Sequence, residues 1–337
     1  MSSDEKMAQA TYPKVSVLWL NYNSMHVIET TKKSLDSLAN LDYPNFELIL
    51  IDNGSTDGSK EVIEKYLRNQ KFGKSEVTFV KLSKNVGFTD GVNAGYNRRD
   101  RDSEYVALTH NDVVAKKGYL REVVGYMRSH EGVGAAQGIV ARLGYPSKVD
   151  SAGFMIDEAL DLFRLSESKE LSFKKPLYIA FVEGAMPVYN VEAVKSAVKS
   201  ERELFVPGAF MYYLEDVFVS IELWSKGYKC VLLPFLTGGH LRMAVSAQTE
   251  SLDLAYYRIR NQVALLCMTN SADKLRVILQ NLRRAAISRG NLAVRQMLMR
   301  SLIDGIRNGR RLRKIYGEID LYKTPMLKKS VRSRFRI

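Results

Sequence analysis

Short apolar runs alternate with amphipathic stretches through the first third of the chain. Residues 15–20 (VSVLWL) read as a strand buried on both faces, ending in Asn21-Tyr22-Asn23-Ser24. A helical pattern follows over about 25–38, with Val27, Leu35 and Leu38 on one face. Tyr43-Pro44-Asn45 turns the chain into a second strand, 46–51, which ends in DNGSTDGS from Asp52 to Ser59. A helix over about 60–68 leads to a third strand at 77–82. Gly91, Asn93 and Gly95 then mark the start of another helix, and a fourth strand from Tyr105 ends in Thr109-His110-Asn111-Asp112. Strands alternating with helices predict βαβ units and a parallel sheet. Three of the four strands end in ligand-capable groups: Asn21/Asn23, Asp52/Asp57 and Asp112. Open α/β sheets bind ligands outside the carboxyl ends of their strands. On its own, the stretch 105–115 reads as no more than a strand followed by an Asn-Asp turn. The repetition of polar strand ends favours a site.

The middle of the chain is less regular. Residues 132–140 read as a packed strand with glycines for close approach, 150–173 as a variable loop region, and 177–188 as strand-like. Helices are expected at 191–198 and 216–226, with Gly227 as the stop, then a strand at 228–234 and a loop holding Gly238-Gly239-His240. From about Leu252 the pattern is helical throughout, with helices at 254–268, 274–288 and 291–316. The stretch 323–337 reads as a basic flexible tail.

Charge adds a second feature. The net charge of +13 is not spread evenly: residues 271–337 hold 18 Lys+Arg against 4 Asp+Glu, and the other 270 residues hold 32 against 33. A concentrated positive segment points to an anionic surface. A solvated helical face is one reading. A peripheral membrane surface is the preferred one, because the helices carry Leu, Ile and Met opposite their arginines. Nucleic acid is the least favoured, for want of a recognition motif. Cys230 and Cys267 form no metal or redox spacing, which fits a reducing compartment. No apolar run approaches the roughly 18–20 residues that span a bilayer. The first residues lack a signal-peptide layout and read as a disordered leader, so a cytoplasmic protein is expected, peripheral at the inner face of the membrane.

The ordered series VSVLWLNYN, LILIDNGSTDGS, NVGFTDGVNAGYN, the aspartate after the fourth strand, GAMPVYN, YLEDVFVSIELWSKGYK and GGH resembles family 2 glycosyltransferases of GT-A fold, in their rhamnosyl- and galactofuranosyl-transferring branch. The resemblance covers residues 14–244, with a weaker echo at YYRIRN. It implies an α/β GT-A domain over 14–250, preceded by a leader (1–13) and followed by a helical region (251–320) and a tail (321–337). It also implies an inverting transfer of a hexosyl or deoxyhexosyl group from a UDP-, GDP- or dTDP-linked sugar to a glycan or lipid-linked acceptor, aided by Mn2+ or Mg2+.

Site roles follow from the matched positions. Asp52 resembles the aspartate that contacts the base. Asn21 and Asn23 lie in the loop that cradles base and ribose. Asn85, Asn93, Asn111 and Arg260 join the nucleotide-sugar group. Asp112 resembles the last acid of the DxD motif, and His240 falls where that branch places a metal-binding histidine. Asp216 resembles the catalytic base, and Glu183, Gly184, Glu215 and Trp224 fall in the donor and acceptor sugar region. The sequence departs from the pattern at His110, which stands where the first acid of DxD is usual.

Each role has a plainer alternative. Asp52 and Asp57 would serve equally to shape a turn and cap a helix. Asn85 and Asn93 would serve as turn and cap residues, Asp216 as a charge at a helix N-terminus, His240 as a loop histidine, Arg260 as a solvated charge, and Trp224 as core. Two rival functions remain open at this level. One is a GT-A domain that has weakened catalysis and only binds nucleotide or glycan, for which His110 is the argument. The other is a sugar-1-phosphate nucleotidyltransferase, which would want a glycine-rich basic loop where Asn21-Tyr22-Asn23-Ser24 stands.

Overall fold

The structure is a computed structural model, and it describes residues 12–69, 76–165, 174–210, 212–242, 252–288 and 292–328. The amino-terminal half is built as the apolar runs predict. Strands β1 (Val15–Asn21), β2 (Phe46–Asp52), β3 (Glu76–Lys81) and β4 (Tyr105–His110) are joined by helices α1 (Ile28–Ala39), α2 (Ser59–Asn69) and α3 (Phe88–Tyr96). The four strands are parallel in the order β3-β2-β1-β4, and Asn21 stands directly opposite Asp52. All seven residues of β1 are buried. Alternate residues of a strand point to opposite faces, and the core divides on that rule. Leu18, Leu20, Ile49, Ile51, Val106 and Leu108 pack on one face, and Val15, Val17, Trp19, Leu48, Leu50 and Ala107 on the other. Helix α1 covers the second face with Leu35 and Leu38, beside α4 (Tyr119–Ser129). Each such side chain contributes about 1.5–3 kcal/mol on burial.

Beyond β4 the sheet becomes mixed. The short β5 (Val113–Ala115) is followed by β6 (Val133–Arg142), β7 (Tyr145–Ser151), β8 (Phe154–Ile156), β9 (Leu162–Arg164), β10 (Leu177–Tyr178), β11 (Val188–Asn190) and β12 (Lys229–His240). β11 runs antiparallel between β4 and β6, while β12 runs parallel to β6 and antiparallel to β5. Helices α5 (Val191–Val198) and α6 (Glu215–Ser225) intervene between β11 and β12. Three expectations are corrected here. The stretch 150–173, read as a loop, contains β8, β9 and the end of β7. The stretch 177–188 is strand only at its two ends. Gly238-Gly239-His240, also read as a loop, is the end of β12, because each of the three pairs with a residue of β5.

Helices α7 (Leu252–Met268), α8 (Lys274–Ile287) and α9 (Leu292–Tyr316) complete the chain. They are not an appendage. Leu265, Leu266, Met268, Val277 and Leu312 share one core with the sheet face of Leu18 and Ile49. The expected tail is ordered as far as residue 328: Leu321 is fully buried and the Leu327 N–H donates to the Ile156 carbonyl. Tyr12 and Pro13 of the expected leader pack on Tyr43. Residues 1–11 and 329–337, and the expected domain boundary at 250/251, lie outside the described residues.

Candidate active site

The carboxyl ends of β2, β1 and β4 are tied together by side chains. Asn111 Nδ2 donates to Asn21 Oδ1 (3.0 Å), and Asn21 Nδ2 donates to Asp52 Oδ2 (2.9 Å). Ser55 Oγ donates to the same Asp52 oxygen (2.7 Å), and the Ser55 N–H to the other (2.9 Å). The Asn23 N–H donates to Ser55 Oγ, and Asn23 Oδ1 accepts from the Thr56 N–H. The loops after β1 and β2 are therefore zipped side by side. Asn53 extends the zip: its Nδ2 donates to Asn85 Oδ1 and to the Gly87 carbonyl. Asn21 and Asp52 are wholly buried, so they form the floor of this region. Ser55 was not singled out from the sequence; its place in the DNGS turn was the available signal.

Next to this floor stands a charged cluster. The antiparallel pairing of β12 with β5 brings His240 alongside Asp112, with Nε2 3.2 Å from Asp112 Oδ2. Both Asp112 oxygens are buried, and neither accepts an aligned hydrogen bond from a described residue. His240 Nδ1 meets Asp150 Oδ2 at 3.0 Å. Burial alone would lower the His240 pKa, but the Asp112 and Asp150 carboxylates on either side raise it to about 9. Burial would raise Asp112, and the His240 contact holds it below its ordinary value. Burial pushes the His110 imidazole down to about 4, so the ring is neutral, edge-on to Phe88. The Asp112 carboxylate and the His240 imidazole beside it, once that ring has given up its proton, form an oxygen–nitrogen donor pair that fits a divalent cation. Among the described residues no group of three or more acidic, His or Cys side chains would hold an ion alone, so further ligands would come from the substrate.

The third part is the start of α6. Tyr213 and Leu214, immediately before Glu215, both have left-handed backbone (φ 66° and 69°). For non-glycine residues this costs about 1–2 kcal/mol each, and adjacent strained residues mark a conformation imposed by their surroundings. The surroundings are visible. Asn261 Nδ2 donates to the Tyr212 and Tyr213 carbonyls (2.7 and 2.9 Å). Arg260 Nη1 and Asn308 Nδ2 both donate to the Ala209 carbonyl. From the other side Thr89 Oγ1 donates to the Phe210 carbonyl, and Asn93 donates to the Phe205 carbonyl while accepting from the Leu204 and Phe205 N–H groups. At about 1 kcal/mol per net hydrogen bond these contacts offset the strain. Two expectations change accordingly. Arg260 and Asn93, expected to meet the nucleotide sugar, hold backbone of the loop instead. Trp224 is corrected as well: it lies eight residues down α6, about 12 Å from Asp216, buried, with its indole N–H on the Ile179 carbonyl.

Asp216 accepts from the Val217 N–H (2.8 Å), and the backbone of Gly184 lies close enough to lower its pKa. Burial and the nearby Glu183 charge raise its pKa to about 7, against these backbone groups. Glu215 is pushed well above its ordinary range by burial and by Asp216. Glu183 Oε1 in turn accepts from Arg242 (3.0 Å), whose Nε donates to Asp150. A continuous path of contacts thus runs Asp112–His240–Asp150–Arg242–Glu183–Gly184–Asp216. Asp150 and Arg242 were missed in the sequence, where neither belongs to a motif. A separate cavity of about 330 Å³, lined by Glu104, Tyr105, Arg128, His130 and Val133, opens at the amino ends of β4 and β6, away from all of these groups.

A model of glycosyl transferase family 2 matches residues 16–197. An uncharacterized glycosyltransferase of Haemophilus influenzae is 28% identical over 123 residues, 36% of this chain and 35% of its own length. The putative teichuronic acid biosynthesis glycosyltransferase TuaG of Bacillus subtilis is 29% identical over 115 residues, 34% of this chain and 42% of its own. The chain thus spans less than half the length of these relatives. Among solved structures, GalNAc-T7 with UDP, GalNAc and Mn2+ superposes with a TM-score of 0.60 at 14% identity, covering 92% of this chain and 59% of that one. S. aureus TarS with UDP-GlcNAc gives 0.52 at 19% identity, with 88% and 81% covered. The mannosyltransferase PcManGT of Pyrobaculum calidifontis, with GDP-Man and Mn2+, gives 0.51 at 14% identity, with 90% and 75% covered. The shared architecture is the GT-A fold. Since the matched region takes in more than half of the chain, from β1 through the Asn21–Asp52–Asn111 floor to α5, the protein belongs to glycosyl transferase family 2.

Proposed function

We propose that this protein is an inverting, divalent-metal-dependent glycosyltransferase that moves a hexosyl or deoxyhexosyl group from a nucleotide sugar to a hydroxyl of a glycan or lipid-linked acceptor. The observation that carries the reading is the unbroken path of contacts from Asp112 to Asp216. It joins a candidate cation-holding carboxylate to a candidate base within one site, next to the zipped strand ends.

In this reading the loops after β1 and β2 receive the nucleoside, and Asn21, Asp52 and Asn111 hold those loops in shape from below. Asp112 and His240 hold the cation. When bound, Mn2+ or Mg2+ supplies positive charge against the diphosphate leaving group. The acceptor oxygen bonds to the anomeric carbon as the bond to the diphosphate oxygen breaks, and the acceptor proton passes to the Asp216 carboxylate. A pKa near 7 suits a base that must be ionised before the step and protonated after it. Displacement from the face opposite the leaving group inverts the anomeric centre, as in single-step glycosidases. The donors bound in the structural neighbours are GDP-Man and UDP-GlcNAc, which makes GDP- and UDP-sugars the first to test here. The rhamnosyl and galactofuranosyl donors of the resembling branch come next.

A second reading, a binding module with weakened catalysis, is favoured by one observation: His110, neutral and apolar-packed, stands where a second acid is usual. The two readings separate in one experiment. Calorimetry against a panel of nucleotide sugars, with and without Mn2+, is paired with turnover of Asp216→Asn and Asp112→Ala. The enzyme reading expects Asp216→Asn to bind donor normally but turn over about 10²–10⁴-fold more slowly, and Asp112→Ala to lose metal-dependent donor affinity. Near-normal turnover by Asp216→Asn removes the base assignment. Donor binding with no turnover in the unaltered chain supports the module.

A further inference from the structure

Helix α8 has two apolar sides, and only one of them is used. Val277, Asn281 and Ala285 face the protein and are buried. At 100° per residue, Leu275, Leu279, Leu282 and Ala286 form a second stripe, turned roughly 130° from the first. Among the described residues nothing covers it: Leu275 is 66% and Leu279 54% exposed. Ile287, about 110° round α8 from the stripe, and Leu292, at the start of α9, are each 68% exposed. On α9, Met299 and Ile303 are exposed in line with Leu292. Arginines flank both stripes: Arg276 and Arg283 on α8, and Arg295, Arg300 and Arg307 on α9. Residues 274–316 hold 12 Lys+Arg and one acid, Asp304, which is already met by Arg300, Arg307 and Tyr256.

We propose that α8 and the first half of α9 form a docking face for the surface of an anionic lipid bilayer. Both halves of the pattern are needed to identify the occupant. Exposed leucines at one per turn suit the acyl boundary of a bilayer, and the arginines beside them suit its anionic headgroups. A polyanion would need the arginines but not the leucines. A second copy of this chain, placed face to face, would set arginine against arginine, with two nearby acids, Asp273 and Asp304, that are already paired with arginines of their own chain. No described helix is long and apolar enough to cross a membrane, so the contact lies along the surface; α8, at about 21 Å, would rest flat on it. The inference goes beyond the transfer reaction, because none of the stripe residues belongs to the candidate active site.

The test is vesicle flotation of the full chain, which does not read activity. Vesicles of phosphatidylcholine mixed with phosphatidylglycerol should carry the protein at low salt, and vesicles of phosphatidylcholine alone should not. Raising the salt to ~0.5 M should release most of it. The double substitution Leu279→Asp with Leu282→Asp should weaken binding by about tenfold or more, and so should Arg283→Glu with Arg295→Glu. All four positions are exposed, so unchanged melting temperatures are expected in both variants. Three results overturn the proposal: no flotation, flotation indifferent to lipid charge, or flotation unaffected by the leucine substitutions. A fourth does so from another direction. If light scattering finds a dimer that the leucine variant splits, a second copy occupies the face.

Discussion

At Gly54 the backbone turns through a φ of +71°, and a Cβ placed there would lie 2.3 Å from the Lys84 carbonyl carbon. The glycine is what lets the loop after β2 lie against the segment that leads to α3. Gly54→Ala should therefore disturb the nucleotide end first, weakening donor binding about tenfold or more while lowering the melting temperature by a few degrees. Paired donor titrations and melts would check this. Asp216 makes a different prediction. A base works only when ionised, so kcat/KM should rise about tenfold per pH unit below its pKa and level off above about 7. A flat profile from pH 5 to 8, roughly, would remove that assignment. At this scale position was legible: Asp112 follows the end of β4 and Asp216 stands in the first turn of α6, as the sequence leads one to expect. Asp150 and Arg242 were not legible. They matter through partners 90 and 92 residues away in the chain, a relation no local pattern records. The partners of Arg260 and Asn93 were not legible for the same reason: they are backbone carbonyls and amides that only the fold brings near.

Helices α7 and α9 approach unusually closely through Gly305 and Gly309. A Cβ at Gly305 would lie 2.7 Å from the Arg260 carbonyl oxygen, and one at Gly309 would lie 2.5 Å from that of Ala264. The close fit sets Asn308 on α9 and Asn261 on α7 beneath the same loop. Gly309→Ala should push the helices apart and lower both stability and kcat. Asn261→Ala should leave the helix pair intact and lower kcat about 10–100-fold, because the loop before Asp216 loses two of the hydrogen bonds that hold it. Melting curves beside steady-state kinetics separate the two cases, and equal kcat for Asn261→Ala and the unaltered chain would show that the loop holds itself. The Gly-x-x-x-Gly spacing was present in the sequence and went unread. The long apolar strands and the regular helices announced themselves by periodicity. Strands β7, β8 and β9 did not, because they are short and β7 is mostly exposed, which leaves no alternation to detect.

For the molecule as a whole, one buried acid shapes the response to pH. Glu222 on α6 is 3% exposed, and its Oε1 has no hydrogen-bond partner. Burial raises its pKa from 4.5 to about 7, against the attraction of Lys226 and Lys199. Below pH 4.5 it is protonated folded or unfolded and costs nothing; from 4.5 to about 7 the unfolded chain ionises first, so stability falls as pH rises. Glu222→Gln should therefore gain stability above pH 7, by about 2–3 kcal/mol at most, and gain little near pH 4. Denaturant midpoints at the two pH values would test it, and a gain independent of pH would point to packing instead. The charge asymmetry of the chain was legible from composition alone. The helices' full entry into the shared core was not, because their buried residues are few in each turn and meet partners from the far end of the sequence.

The loop ahead of Asp216 has a consequence for how the protein is made. Two of its holders, Asn261 and Asn308, are translated long after the loop itself. While the chain is still growing on the ribosome, Thr89 and Asn93 can already hold the loop at Leu204, Phe205 and Phe210, but the turn at Tyr213 and Leu214 still lacks Asn261. Transfer competence would thus arrive late and abruptly, as α9 emerges, and a chain stopped short of Asn308 would carry the groups for the reaction without the grip that aligns them.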